Sequence, residues 1–528
     1  MKKRVIQAVR DELQREFILE KPKDLSFGHY ATPIAFSLAK ELRKSPMVIA
    51  DELCKKFENS VIFKEVISVK GYINFRLSEE FLDEYASWAI SNESEFGKSD
   101  KTESILLEYV SANPTGPLHI GHARGAILGD SLYRIGNHLG YKITSEYYVN
   151  DAGSQMAMLG LSIFLSGREN VLKVEVEWPQ EYYRGEYIVD LADEANEELG
   201  AVVFEDEKNI EQLSVWGKDK MMELIKSNLA DVDIEFEQFV SEKSLYNKWN
   251  DSFKKLEESD KIFIEDGKTW IRSTDLGDEK DRVVIREDGR PTYLAGDVIY
   301  HDNKYQRGYD HYINIWGADH HGYISRVKAA INFLGYDEKK LEVILAQMVA
   351  LLKGGEPYKM SKRAGNFILM SDVVKDVGSD ALRFVFLSKK SDTHLDFDVD
   401  MFKQEDSSNP IFYINYAHAR INQVFKKSGK TLEDIKDIKL ENLNDDAANL
   451  LYSALLLPEI LEDAFESRQL QKVTEYLKTL SASLHKFYNE NRVVGEKDEE
   501  KFLKLFAMVG VSIRVGLKLI GIEAKNKM

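Results

Sequence analysis

A chain of 528 residues that is 43% hydrophobic and 30% charged can bury more than one core and reads as a soluble, globular protein of several domains. Its formal net charge of −18 excludes a uniformly basic nucleic-acid binder, though not a local basic face, because the field at a contact matters more than the total. Cys54 is the single cysteine, which excludes a disulfide framework and a thiolate zinc site.

Residues 1 to about 100 combine an amphipathic opening helix with a strand-like run at 66–77, set off by the polar stretch 91–101. The first residues, MKKRVIQAVRDELQREF, include Asp11 and Glu12 and lack the apolar core of a signal peptide. The most apolar C-terminal stretch, 447–460, is cut by Pro458 and falls short of a membrane span. No membrane partner and a cytoplasmic, reducing location are expected.

Residues 105–110 read as a short buried strand, and SANPTGPL at 111–118 carries the glycine and prolines of a turn. A helix should follow, because Ala123, Ile127, Leu128, Leu132, Ile135 and Leu139 recur at helical spacing and Gly140 stands where a helix stops. The string His119-Ile120-Gly121-His122 therefore falls at a strand-to-helix turn. A helix start offers backbone N–H groups to a triphosphate, Gly121 has no side chain to keep it away, and imidazoles there can donate to an α-phosphate under attack. The bland alternative is a capped turn without function.

Asn150, Asp151 and Gly153, in the string YYVNDAGSQ at 147–155, are turn formers, so Asp151 and Gln155 taken alone could simply cap a turn. Strands alternate with helices from about 102 to 170 and again from 268 to 375, as a parallel nucleotide-binding sheet requires. The piece between is acidic and helical in pattern. Tyr293 and Asp297 are four residues apart in TYLAGD, and alone they fit a surface pair. In INIWGADHHGY at 313–323, Asp319, His320 and His321 first suggest metal ligands. Neighbouring strand residues point to opposite faces, so nucleotide contact is the preferred reading over a shared ion.

A second string, Lys359-Met360-Ser361-Lys362-Arg363, follows a strand-like run at 348–352 and the break Gly354-Gly355. Alone it fits a solvated basic loop as well as a phosphate-contacting one. With the histidine string upstream, Lys362 becomes a candidate for the β and γ phosphates, with Lys359 beside it and Met360 packed inward. Beyond about 376 strands are expected to disappear. Ile411, Ile414, Ile421 and Val424 form one helix face ended by Gly429, and Leu470, Val473, Leu477, Leu480, Leu484 and Phe487 form another.

The two strings in this order resemble the signature pair of class I aminoacyl-tRNA synthetases. Further pieces resemble arginyl-tRNA synthetase: Glu108, Ser111 and Asn113 as E-x-x-S-x-N-P, the YYVNDAGSQ string, TYLAGD, and DALR at 380–383. The resemblance covers nearly the whole chain. It implies an α/β fold with a Rossmann-type parallel-sheet catalytic domain at 101–375, split by an insertion at about 170–267. An α+β N-terminal domain at 1–100 that touches tRNA and an all-α helical bundle at 376–528 that binds the anticodon arm complete it. The implied reaction joins L-arginine to its tRNA through an arginyl-adenylate, with ATP and Mg2+ and no zinc, activation depending on bound tRNA, and a monomer.

Carried over residue by residue, the resemblance makes His119, His122, Lys359 and Lys362 catalytic. It places Gly121, Gly317, Asp319, Met360 and Ser361 at ATP, and Glu108, Ser111, Asn113, Tyr293 and Asp297 at arginine. Asp151, Gln155 and His320 are expected on the substrate side without a defined role. The charge of a guanidinium supports the arginine assignment: a planar, always-charged fork asks for carboxylates in its plane, which Glu108 and Asp297 can supply. Glu108 sits in an apolar run, so it should be buried with a cationic partner. Candidate basic faces are 40–44, Lys389-Lys390, 426–430, and Lys501, Lys504, Arg514 and Lys518; candidate base-stacking residues are Tyr413, Tyr416 and His418. The tail Ala524-Lys525-Asn526-Lys527-Met528 departs from the family's usual ending. Cysteinyl-tRNA synthetase, small nucleotidyl transferases and a non-catalytic RNA-binding paralogue remain rival readings.

Overall fold

In the computed structural model, which describes residues 1–358 and 367–528, five parallel strands form the central sheet. In spatial order they are Leu341–Ala346, His311–Gly317, Ser104–Glu108, Lys142–Val149 and Gln238–Ser241. Strand order reverses between Ser104–Glu108 and His311–Gly317, and in such sheets ligands sit beyond the carboxyl ends of strands at that reversal. Glu108 and Gly317 mark the place. The expectations on Lys359, Met360, Ser361 and Lys362 lie outside the described residues.

Helix Ile120–Leu139 follows strand Ser104–Glu108 as its spacing predicts, with Ala123, Ile127, Leu132, Ile135 and Leu139 buried and Gly140 left-handed at φ 102. Each fully buried Leu or Ile contributes about 1.5–3 kcal/mol. The fifth sheet strand, Gln238–Ser241, falls inside the span expected to be a helical insertion. Its four residues lie between acidic neighbours and show no alternation that a sequence pattern could report. Upstream of it, helices Ser154–Asn170, Glu186–Leu199 and Ile210–Ala230 share a separate core. Gly160, Gly167 and Gly217 permit the close approach, since a Cβ there would come within 2.4, 2.2 and 2.4 Å of the partner helix or side chain.

The run expected as one strand at 66–77 is a hairpin, Phe63–Val69 against Tyr72–Leu77. Its two-residue turn places Lys70 at φ 52 and Gly71 at φ 85, both left-handed as the tight hairpin turn requires. Residues 91–101, expected to set the first domain off, are docked instead: Phe96 is fully buried, and Glu93 pairs with Arg514. Past 376 one strand persists, Leu395–Asp398, parallel to Val349–Lys353. The helices beyond it follow the expected faces. Pro410–Ser428 is capped by Asn409, whose side chain accepts from the N–H groups of Ile411 and Phe412, and ends at Gly429 with φ 71. Among the described residues no helix is long and apolar enough to cross a membrane.

Two of the basic residues expected on RNA faces are engaged in ion pairs within the fold. Lys504 is buried and pairs with Asp83, and Arg514 pairs with Glu93, so both join the C-terminal helix Glu499–Leu519 to the N-terminal region. His418 is likewise buried, its Nδ1 3.0 Å from the carbonyl of Lys525, which removes it as a base-stacking candidate. Tyr416 stays exposed beside the Arg420 guanidinium, and Tyr413 is half-buried. The DALR arginine, Arg383, is fully buried: it donates to the carbonyls of Val232 (2.6 Å) and Ile520 (2.7 Å) and pairs with Asp130 of helix Ile120–Leu139.

Candidate active site

His119 is the N-cap of helix Ile120–Leu139, and its Nδ1 accepts from the Gly121 N–H (3.1 Å). The Nδ1 of His122 accepts from the His119 N–H (3.3 Å), closing a capping box. Both rings thus carry their proton on Nε2, which leaves one N–H donor on each. A Cβ on Gly121 would lie 2.9 Å from the His119 ring, so glycine here lets the imidazole fold over the helix start. Burial pushes both imidazoles down, His122 to about 3, and they are neutral at physiological pH.

This corrects one part of the sequence picture. The N–H groups of Ile120 and Gly121 are already used, by the carbonyl of Ile368 (2.9 Å) and by His119, so the helix start offers imidazole donors more than bare backbone. The same Ile368 contact, with Met370 N–H on the Leu118 carbonyl (3.0 Å), pins the downstream flank of the second string to the histidine turn. Phe367 stacks on His119, which stacks on His122, at 5.1 and 3.7 Å.

Beside the strand end at Glu108 lies a cluster of acidic groups. Glu108 ends its strand buried, and its expected cationic partner is Lys304, itself fully buried and also bonded to Asn314 (2.8 Å). The charge of Glu108 is therefore compensated within the chain. The next residues are bent hard: Val110 and Ser111 take φ 68 and φ 41, conformations that are unfavourable for a β-branched and a non-glycine residue. The bend lets Ser111 Oγ donate to Glu108 (3.0 Å) and accept the Tyr148 N–H (3.1 Å). Asn113 follows, exposed.

Tyr293 and Asp297 stand one turn apart on helix Tyr293–Gln306, as expected, with Tyr293 exposed and its hydroxyl 3.2 Å from Ser154 Oγ. Burial first, then the charges of Glu242 and Glu108, push the Asp297 carboxyl up to about 7. Glu242 is a residue that the sequence reading missed. It follows the fifth sheet strand directly, is buried, and accepts from the Tyr246 hydroxyl (2.9 Å), while burial raises its carboxyl as well. Among the described residues neither Asp297 nor Glu242 has a cation within ion-pairing distance. One signal could have found Glu242: Gly296 inside TYLAGD, a helix glycine whose Cβ would stand 2.6 Å from the Glu242 carboxylate.

Asp151 spends its acceptors on Ser241 Oγ (2.7 and 2.9 Å) and the Lys243 N–H (2.9 Å), so it braces the segment carrying Glu242. The Gln155 side-chain oxygen is buried without a hydrogen-bond partner among the described residues. Gly317 ends strand His311–Gly317, and Asp319 and His320 lie in a 3-10 turn, Ala318–Tyr323, not in a strand as supposed. The Asp319 carboxylate lies over Gly317, where a Cβ would be 2.5 Å away, and His320 Nε2 is 3.7 Å from Asp319, both exposed. Among the described residues no group of three or more His, Cys, Asp or Glu is arranged to hold a metal ion.

The comparisons agree along the length of the chain. Residues 87–439 match the family of class I tRNA synthetase (R) catalytic domains, 1–77 the arginyl-tRNA synthetase N-terminal domain, and 414–528 the DALR anticodon-binding domain. Arginine–tRNA ligase of a Nitratiruptor species is 66% identical over 100% of both chains. The chain belongs to the arginyl-tRNA synthetase family. The Campylobacter curvus arginine–tRNA ligase is 61% identical over 98% of each chain, and the solved Thermus thermophilus arginyl-tRNA synthetase shares the fold at 20% identity, TM-score 0.76, over 100% of both. As an arginyl-tRNA synthetase, the chain is a class I ligase forming an aminoacyl-tRNA bond.

Proposed function

We propose that the pocket of Asp297, Glu242 and Tyr293 takes the guanidinium of L-arginine and that the His119–His122 turn takes the α-phosphate of ATP. The observation that carries this reading is a pair of buried or half-buried carboxylates, Asp297 and Glu242, with no cation within ion-pairing distance among the described residues. Leaving such groups unpaired is costly, and a planar fork of five donors satisfies them better than a compact ammonium. Lysine should be rejected for that reason. Glu108, neutralised by Lys304, orients Ser111, and Asn113 and Ser111 meet the amino-acid end of the substrate. The Gln155 side-chain oxygen, which has no partner among the described residues, supplies an acceptor for an ammonium or hydroxyl.

In the first step an arginine carboxylate oxygen attacks the α-phosphorus, the bond to the β-phosphate oxygen breaks, and pyrophosphate leaves. His119 and His122 donate through Nε2–H to the phosphoryl oxygens, with no proton lost from either ring. Lys359 and Lys362 steady the leaving phosphates, with Met360 and Ser361 alongside, while Gly317, Asp319 and His320 lie toward the adenosine. Mg2+ arrives on the triphosphate oxygens, the hard ligands it prefers. In the second step a ribose hydroxyl of the tRNA terminus attacks the adenylate carbonyl and AMP departs.

The domain division at about 100 and 375, tRNA dependence of activation, a cytoplasmic location and a monomeric state belong to the same reading. Charging of unfractionated tRNA with arginine, lysine and cysteine tests it. Arginine alone should be incorporated, and equal lysine incorporation would refute the pocket assignment. Pyrophosphate exchange as fast without tRNA as with it would refute the dependence.

A further inference from the structure

Arg124 and Arg383 are the two largest fully buried side chains, and Arg124 lies two residues beyond His122 on the same helix. Unlike Arg383, it forms no ion pair with a carboxylate among the described residues. Its guanidinium donates to three carbonyl oxygens instead: Gln347 (3.0 Å), Thr393 (2.7 Å) and Lys390 (2.8 Å). Its Nε is buried with no partner among the described residues. A buried charge held by carbonyl dipoles, with the Asp392 carboxylate acting on it only from a distance, is expensive to keep, which makes its geometry the reason to look for a task.

The three carbonyls come from two roots of one small sheet. Gln347 joins strand Leu341–Ala346 of the central sheet to strand Val349–Lys353, while Lys390 and Thr393 precede strand Leu395–Asp398, its parallel partner. The Gln347 N–H also bonds the Ser391 carbonyl at 2.8 Å, so both roots meet at the Arg124 fork. Val349–Lys353 leads in sequence toward the lysine string, and Ile368 and Met370, on the far side of that string, are bonded to the histidine turn itself. The histidine helix thus grips the small sheet by its base and the outgoing chain by its backbone.

We infer that Arg124 is a positioning residue for arginine activation, fixing the base of the small sheet against the turn that carries His119 and His122. It touches no reacting atom. Three carbonyls on two segments need a planar guanidinium with several divergent donors; an ammonium on a flexible stem cannot hold all three. The effect is large because a displacement of about 1 Å between groups that act together costs about a hundredfold in rate. Arginine binding, which uses Asp297 and Glu242 on other elements, should be spared. The inference rests on the proposed roles of the histidine turn and the acidic pocket.

The test compares Arg124→Lys and Arg124→Met with the parent enzyme, full-length and with saturating tRNA, at a temperature where circular dichroism shows each to be folded. Expected are a single-turnover arginylation rate at least tenfold lower in both variants and an arginine KM within twofold of the parent. Arg124→Met removes a buried charge at similar volume, so it should unfold cooperatively. A parent-like rate in Arg124→Lys, or an arginine KM raised in step with the loss of rate, overturns the inference. So does failure of both variants to fold, which would make Arg124 a brace of the whole domain. If the parent itself does not charge tRNA with arginine, the functional reading fails instead.

Discussion

Neutral imidazoles can donate a proton to a hydrogen bond without neutralising a phosphate, and the capping box holds His119 and His122 in that state with Nε2–H free. His122→Ala and Lys362→Ala should each slow adenylate formation by about a hundredfold or more, the scale of losing one transition-state donor, read by single-turnover arginylation. Asp297 behaves differently because its carboxyl is pushed up to about 7 by burial and by Glu242 and Glu108. In the free enzyme it ionises only as pH rises through that value, so arginine KM should fall between about pH 6 and pH 8 and flatten above. Asp297→Asn should remove that dependence together with measurable charging. The folded chain also binds more protons than the unfolded chain between the ordinary carboxylate range and pH 7, so this group weakens the fold as pH rises. Asp297→Asn should therefore be more stable above pH 7, by about 1–2 kcal/mol in denaturant unfolding. His119, Gly121, His122, Tyr293 and Asp297 were legible as candidates because each group stands in one short string. Glu242 was not, since its importance comes from a helix that approaches it from elsewhere in the chain.

At the scale of elements, helix Tyr293–Gln306 and the segment that begins at Glu242 come together at Gly296. Gly296→Ala improves intrinsic helix propensity by about 1 kcal/mol, yet its methyl group would stand 2.6 Å from the Glu242 carboxylate. Arginine KM should rise at least fivefold while the melting temperature stays close to the parent's; an unchanged KM would detach Glu242 from the pocket. Spacing and caps predicted the helices Ile120–Leu139, Pro410–Ser428 and Gln471–Glu490, because a helix is written in residues three and four apart. The short strands Gln238–Ser241 and Leu395–Asp398 escaped, since four residues paired at a distance carry almost no local pattern. The hairpin at Lys70-Gly71 escaped for a related reason: the turn needs two left-handed residues, and lysine does not announce one.

For the whole molecule, one continuous core runs from the N-terminal helix through the central sheet to the C-terminal helices. Buried polar ties accompany it. Lys504 joins Asp83, and Tyr452 stacks on His29 at 4.0 Å while its hydroxyl donates to the His29 carbonyl. Asp83→Asn would leave the buried Lys504 ammonium without its counter-charge. Breaking such a pair by removing one partner costs about 3–5 kcal/mol, so the unfolding midpoint should drop clearly while the arginylation rate at 25 °C stays within twofold. Lys504, expected on an RNA-binding face, became an interior brace by this route. By itself the sequence determined the turn ahead of His119, the helices Ile120–Leu139, Pro410–Ser428 and Gln471–Glu490, and which family the chain resembles, since all of these are encoded among near neighbours. Only the tertiary structure decided that Lys304 neutralises Glu108, that the charge of Glu242 acts on Asp297, and that Lys504 and His418 are interior. Burial and charge compensation are properties of segments meeting across the fold, and no local spacing records which segments those are.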